Sequence, residues 1–159
     1  MKNRIFIIDG SSYLYRAFHA MPPLSTSKGQ PTGAVKGVTN MLLNLKKDSE
    51  GSPIIVVFDA KGKTFRNEIY SEYKANRPPM PDELRLQLDP VKSICRAIGF
   101  PLIEIEGVEA DDVIATITRM AKDAQYKCVV SSLDKDLMQL VEDPDTTLMN
   151  TMKLSLIHI

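Results

Sequence analysis

Five short apolar runs, rich in β-branched residues, punctuate the chain at 4–8, 54–58, 102–105, 128–132 and 146–150. Their shortness and near-continuous hydrophobicity predict parallel strands buried on both faces. Between them the apolar positions move to helical spacing. Residues 33–47 carry Val35, Val38, Met41, Leu42 and Leu45 on one stripe. Residues 82–98 do the same with Leu84, Leu88, Val91, Ile94 and Cys95, opening near Pro81-Asp82 and stopping before Gly99. Residues 109–124 repeat the pattern with Val113, Ile114, Ile117 and Met120, and Leu137, Leu140 and Val141 predict a short helix after Asp134. A first helical pattern, containing Phe18 and His19, follows the first strand. Such alternation predicts an α/β fold, a mainly parallel central sheet with helices on both faces.

Two stretches interrupt this plan. Residues 21–32, with Pro22, Pro23, Gly29 and Pro31, read as a long loop. Residues 60–81 exceed a typical connection, which marks them as functional or mobile. They carry Lys61, Lys63, Arg66, Lys74 and Arg77 against Glu68 and Glu72, interleaved with Phe65, Tyr70 and Tyr73. Basic residues among aromatics suit single-stranded nucleic acid, and a solvated helix face is the alternative. If Tyr73 to Arg77 is helical, Lys74 and Arg77 share a face and could clamp one phosphate.

Acidic residues sit at the ends of the strand-like runs. Asp9 closes the first and Asp59 the second; Asp134 and Asp136 follow the fourth, while Glu109, Asp111 and Asp112 open the helix after the third. Strand ends of an open α/β sheet share one rim, and ligands bind there. Taken singly, each acid has an ordinary explanation as a turn residue, an N-cap or a complement to a helix dipole. Their joint placement favours convergence in one pocket. At roughly 5 Å and an effective dielectric of about 20, each pair would repel by about 3 kcal/mol. Divalent cations offset such repulsion, and oxygen ligands without Cys or His point to Mg²⁺ or Mn²⁺. Two ions about 4 Å apart, bridged by carboxylates, can activate water and stabilise the leaving oxygen of a phosphodiester.

Composition narrows the alternatives. A chain of 159 residues suits one domain with a hydrophobic core. No apolar run approaches the roughly 18 residues of a membrane span, and the N-terminus enters a strand directly instead of a signal peptide. Cys95 and Cys128 have no metal-ligand spacing and read as buried free thiols of a cytoplasmic protein. The zero net charge conceals an asymmetry: residues 1–81 hold 12 Lys and Arg against 6 Asp and Glu, and residues 82–159 hold 8 against 14. A basic surface beside an acidic site is one reading, chance the other. Neither His19 nor His158 lies near a Ser or Cys motif, and no phosphate-binding glycine loop occurs.

The strings Ile7-Ile8-Asp9-Gly10-Ser11, Val57-Phe58-Asp59-Ala60-Lys61, Tyr73-Lys74-Ala75-Asn76-Arg77-Pro78-Pro79-Met80-Pro81, Gly107-Val108-Glu109-Ala110-Asp111-Asp112-Val113 and Asp134-Lys135-Asp136-Leu137 carry a specific resemblance. Over roughly residues 3–153 the chain resembles the N-terminal 5′-nuclease domain, with its PIN/resolvase-like core, of bacterial DNA polymerase I and of free-standing exonucleases, relatives of the flap endonucleases. The run from Tyr73 to Arg85 and the string Asn150-Thr151-Met152 look closer to the polymerase I branch.

The resemblance implies a structure-specific 5′-3′ exonuclease or flap endonuclease core. Asp9, Asp59, Glu109 and Asp111 would hold one Mg²⁺ or Mn²⁺, Asp134 and Asp136 mainly a second, with Asp112 a lesser participant. Lys74 and Arg77, on the helical arch, would position the scissile phosphate and stabilise its developing charge. Tyr15 would stack on a base near the scissile bond; Arg16, Lys61 and Arg66 join the implied nucleic-acid contacts. Tyr15 also has an ordinary reading as a half-buried helix aromatic. The implied partners are DNA with a 5′ flap or nick and RNA primers, met by a bacterial, cytoplasmic and nucleoid-associated monomer joined to polymerase domains in a longer parent. No membrane is implied. The family pattern continues into a Gly-Asp-x-x-Asp-Asn segment and a helix-hairpin-helix that the chain lacks, and residues 154–159 read as a non-native tail on a truncated, poorly active fragment. A receiver-like phosphoacceptor domain, also doubly wound with strand-end aspartates, is the rival from another class; the number of acids and the basic insert argue against it.

Overall fold

The computed structural model describes residues 3–142, 144–150 and 155–157. Its strands are β1 (Arg4–Asp9), β2 (Ile54–Val57), β3 (Leu102–Ile103), β4 (Lys127–Ser131), β5 (Thr146–Asn150) and β6 (Ser155–Ile157). They form one sheet in the order β3-β2-β1-β4-β5-β6. The first five are parallel, with Ile7 in register with Ile55 on one side and Val130 on the other. Strand β6 closes the edge antiparallel to β5.

Five α-helices connect the strands: α1 (Gly10–Ala20), α2 (Gly33–Asp48), α3 (Phe65–Ile69), α4 (Asp82–Ile98) and α5 (Ala110–Asp123), with a 3₁₀ turn at Lys135–Leu140. Strand residues alternate between two cores because successive side chains leave opposite faces of a strand. Phe6, Ile8, Val56 and Val129 pack with Leu14, Val38, Leu42, Leu84 and Val91 of α1, α2 and α4. On the other face Ile7, Val57, Cys128 and Val130 pack with Val113 and Ile114 of α5 and with Leu137. Both cysteines are free and buried, as their apolar surroundings predict. No helix among the described residues is long and apolar enough to cross a membrane.

This topology positions the site. After β1 the chain passes through α1 and α2 to β2 on one side; after β3 it passes through α5 to β4 on the other. The carboxyl ends of β1, β2 and β4 therefore border the crevice where the winding reverses, the usual ligand position in such sheets. Helix α1 starts directly at the end of β1, and Gly10 makes that possible. A Cβ there would lie 2.5 Å from the ring of Phe58, which is buried.

One sequence expectation is corrected, and one condition is not met. Residues 104–105 do not extend β3: Glu104 instead turns toward α4 and pairs with the buried Lys92 at 2.5 Å. Residues 73–77 are not helical. The stretch 70–77 is a succession of tight turns closed by Tyr73 N to Tyr70 O, Ala75 N to Glu72 O and Arg77 N to Lys74 O. Lys74 adopts a left-handed φ of 57°, which a regular helix cannot accommodate.

Candidate active site

At the carboxyl end of the sheet lies a cleft of about 860 Å³. Asp9, Asp59, Glu109, Asp111, Asp134 and Asp136 all line it, facing Lys74, Arg77, Tyr15 and Arg16. Most of these acids are placed by a local device that the sequence supplies.

Asp9 is the last residue of β1 and caps α1, accepting from Ser12 N at 2.9 Å and from Ser132 Oγ at 2.6 Å. It is 5% exposed. Burial pushes its carboxyl upward from the usual range, and the charges of Asp59 and Asp134 add to the effect. Asp59, just past β2, accepts from Ser11 Oγ and from Ala110 N, both at 2.8 Å. That second bond ties the end of β2 to the first turn of α5, where a helix leaves an N–H without an internal partner. Glu109 caps α5 and meets Lys74 Nζ at 2.7 Å and Tyr73 Oη at 3.3 Å. Asp134 caps the 3₁₀ turn by accepting from Asp136 N at 2.9 Å.

Asp111 differs from these, since it accepts no hydrogen bond from the described residues. Burial raises its pKa to about 6, and the charges of Asp9, Asp134 and Asp59 act in the same direction. The cleft thus holds negative charge that the protein's own groups leave partly uncompensated. Serines stitch its floor together: Ser12 Oγ accepts from Leu133 N at 3.0 Å, and Tyr13 Oη shares a buried 2.8 Å hydrogen bond with Ser131 Oγ. Burial pushes the Tyr13 hydroxyl up to about 12, so it stays protonated.

Among the described residues, no three carboxylates, imidazoles or thiols are gathered into a ready-made metal cage. Mutual repulsion and the serine and backbone bonds at Asp9 and Asp59 hold the acids apart. The donor set nevertheless fits a hard divalent cation: all carboxylate oxygen, running from buried Asp9 through half-buried Glu109 and Asp111 to exposed Asp59, Asp134 and Asp136, and raised in pKa at Asp9 and Asp111 by burial and crowding.

Three residues expected at the site stand elsewhere. Asp112 points away from the cleft and is gripped by both terminal nitrogens of Arg66, at 2.5 and 2.7 Å. That guanidinium, beside it, holds the Asp112 carboxyl below the usual carboxylate range. Arg66 is occupied by the same pair and lies over the Phe65 ring, 4.6 Å from its centroid. Lys61 lines a separate surface hollow with Asp89, Arg96 and Glu106. Conversely, the cleft includes Ser11, Ser12, Tyr73 and His19, to which the sequence assigns no role there. Hydroxyls beside strand-end aspartates, as in Asp9-Gly10-Ser11-Ser12 and Ser131-Ser132-Leu133-Asp134, were the available signal. His19 lies one helical turn beyond Tyr15, their rings 6.5 Å apart and nearly parallel.

The sequence and the fold both match known nucleases. The family model for the 5′-3′ exonuclease N-terminal, resolvase-like domain aligns with residues 4–158. The chain belongs to that family. It is 61% identical over 148 residues to DNA polymerase I of Pseudomonas aeruginosa, covering 93% of this chain and 16% of that protein. It is 48% identical over 139 residues to a 5′-3′ exonuclease of Aquifex aeolicus, covering 87% and 48% respectively. Among solved structures, the bacteriophage T5 flap endonuclease in a pseudo-enzyme–product complex with DNA and metal ions superimposes with a TM-score of 0.76 at 25% identity. That match spans 98% of this chain and 57% of that one. The chain therefore spans between about a sixth and somewhat over half of the length of these relatives.

Proposed function

We propose that this chain is the metal-binding core of a structure-specific 5′ nuclease, which in its longer parent removes 5′ flaps and RNA primers as part of DNA polymerase I. The observation that carries the reading is the set of six carboxylates brought from separate strand and helix ends into one cleft opposite Lys74 and Arg77. The bacterial relatives and the DNA- and metal-bound T5 structure support it.

In this reading Asp9, Asp59, Glu109 and Asp111 hold one divalent cation, Mg²⁺ or Mn²⁺, and Asp134 and Asp136 lie toward a second. When bound, such ions lower the pKa of water and neutralise charge on a phosphodiester during in-line displacement. The residues do the rest. Lys74 and Arg77, which line the same cleft, meet the scissile phosphate and stabilise its developing negative charge. Tyr15, 37% exposed at the mouth of the cleft, offers a ring on which a terminal base can stack. The serine bonds to Asp9 and Asp59 fix two carboxylates in place, so they need not reorganise when the substrate arrives.

The test is cleavage of a labelled 5′-flap duplex with Mg²⁺ or Mn²⁺. Cleavage should require the ion and be abolished by Asp111→Asn. Metal-independent cleavage, or phosphorylation of an aspartate by acetyl phosphate in its place, overturns the reading.

A further inference from the structure

Segment 65–77 carries Lys74 and Arg77 over the cleft, yet hydrophobic burial does little to hold it there. Helix α3 has no buried residue, Ile69 is 80% exposed and Tyr70 59%. What ties the segment to the body is polar and converges on the start of α5. Phe65 N donates to Gly107 O at 2.8 Å; Arg66 grips Asp112 through two parallel bonds; Tyr73 and Lys74 reach Glu109. Within the segment, Asn67 Nδ2 donates to Tyr73 O at 3.2 Å and transmits the hold from α3 to the turns that carry Lys74.

These ties are not equivalent. The Lys74 and Tyr73 bonds end on Glu109, which lines the cleft. A cation held by Glu109 would compete with Lys74 for the same oxygens, so this tie weakens when the site is loaded. Arg66 also stands 3.7 Å from Glu109 Oε2, but its two short bonds are to Asp112, and neither residue of that pair lines the cleft. The pair is also bidentate, the geometry in which a guanidinium and a carboxylate fix each other's orientation as well as distance. Asp112 further accepts from Glu109 N at 3.3 Å, completing a capping box at the start of α5.

We infer that Arg66 and Asp112 are a positioning pair that latches the basic segment to α5 and keeps Lys74 and Arg77 over the cleft once Glu109 is engaged by metal. Neither ligates metal nor contacts nucleic acid. This inference rests on the nuclease reading for its kinetic consequence but not for its structural one.

The test uses the full chain with Asp112→Asn, Arg66→Ala and the double variant. Asn at 112 keeps the cap to Glu109 N but loses the charge pair. Circular dichroism confirms that each variant is folded; Arg66→Ala serves if Asp112→Asn is not. Four results are expected. The Mn²⁺ concentration that half-raises thermal stability stays within about twofold of the parent, whereas Asp111→Asn shifts it strongly. Trypsin cuts Asp112→Asn within residues 61–77 several-fold faster. The single-turnover rate on flap DNA falls on the order of tenfold to a hundredfold, because misplacement of a positioned group by about 1 Å costs that much. The double variant is no slower than either single one. A weakened Mn²⁺ midpoint in Asp112→Asn would make it a ligand and overturn the inference. So would additive losses in the double variant, or unchanged trypsin cleavage. Absence of any Mn²⁺-dependent rise in the thermal stability of the parent chain would defeat the metal-site reading instead, with the trypsin result still deciding the latch.

Discussion

Replacing Asp111 by Asn should make the metal-free protein more stable. The carboxyl of Asp111 is half-buried, accepts no hydrogen bond from the described residues and faces Asp9, Asp59 and Asp134 across the cleft; its pKa is raised from 3.8 to about 6. A group whose folded pKa exceeds its unfolded value leaves stability intact below the unfolded value and removes it as pH climbs through the folded one. Stability should therefore fall between about pH 4 and 6 and remain low above. Two pKa units correspond to about 3 kcal/mol at full effect. The cleft is open to water, and screening reduces this to roughly 1–2 kcal/mol. Asn has nearly the same shape and no charge, so it should recover that amount. For a domain of this size the gain corresponds to a Tm increase of about 3–6 °C.

The assay is thermal unfolding in EDTA from pH 4 to 8, comparing the parent chain with Asp111→Asn. The difference should be near zero at pH 4, grow through pH 6 and then level off. Saturating Mn²⁺ should reverse its sign at pH 7.5, since only the parent keeps the anionic ligand. Equal or lower stability of Asp111→Asn in EDTA at pH 7.5 would refute the claim that crowded, unpaired charge is stored at this position.

Three further outcomes follow from the same geometry. Mg²⁺ or Mn²⁺ should raise the Tm of the parent by preferential binding to the folded state, and Asp59→Asn with Asp111→Asn should remove most of that gain; a gain that persists would put the ion elsewhere. Replacing Lys74 and Arg77 together by Ala should weaken flap-DNA binding and flatten the dependence of log K on log salt, by roughly 0.7–0.9 for each phosphate no longer neutralised; equal slopes would make residues 60–81 a solvated loop. Gly10→Ala should cost about 1–3 kcal/mol, measured as a lower urea midpoint, because its methyl would meet the buried Phe58 ring at 2.5 Å.

The sheet and its helices were legible because periodicity is a local signal, and burial on both faces writes it strongly. Ile5 to Ile8 and Cys128 to Ser132 read as strands, and Val113 to Met120 as an amphipathic helix, for that reason. The strand ends were legible too, since a doubly wound sheet gathers them on one rim whatever the loops do. β3 was read too long because Ile103-Glu104-Ile105 continues a strand-like alternation, while the buried Lys92 offers Glu104 a charge partner that no local pattern reveals. The helix considered for 73–77 does not form, for a related reason. Its residues permit a helix, but the bonds of Tyr73 and Lys74 to Glu109, 36 and 35 positions away, hold it as turns with Lys74 at positive φ.

Asp112 shows why the residue type alone does not assign a role. It stands next to Asp111 in one acidic run, and the residue type gives no ground for separating the two. On a helix, adjacent positions are rotated by about 100°, and here that rotation carries Asp112 out of the cleft and toward Arg66. Asp111 lines the cavity and takes its repulsion; Asp112 turns out to meet Arg66, a residue 46 positions earlier that also looked like part of the nucleic-acid surface. The two readings share one cause. Each charge seemed free for a ligand because its partner was distant in sequence, and pairing them removes both from the cleft. The same step leaves Lys74 and Arg77 as the cations of segment 60–81 that line the cavity. There is a physical reason for the division. A cation that must meet a phosphate cannot also anchor the segment that carries it, because binding would then break the anchor. Arg66 anchors, so Lys74 can be released.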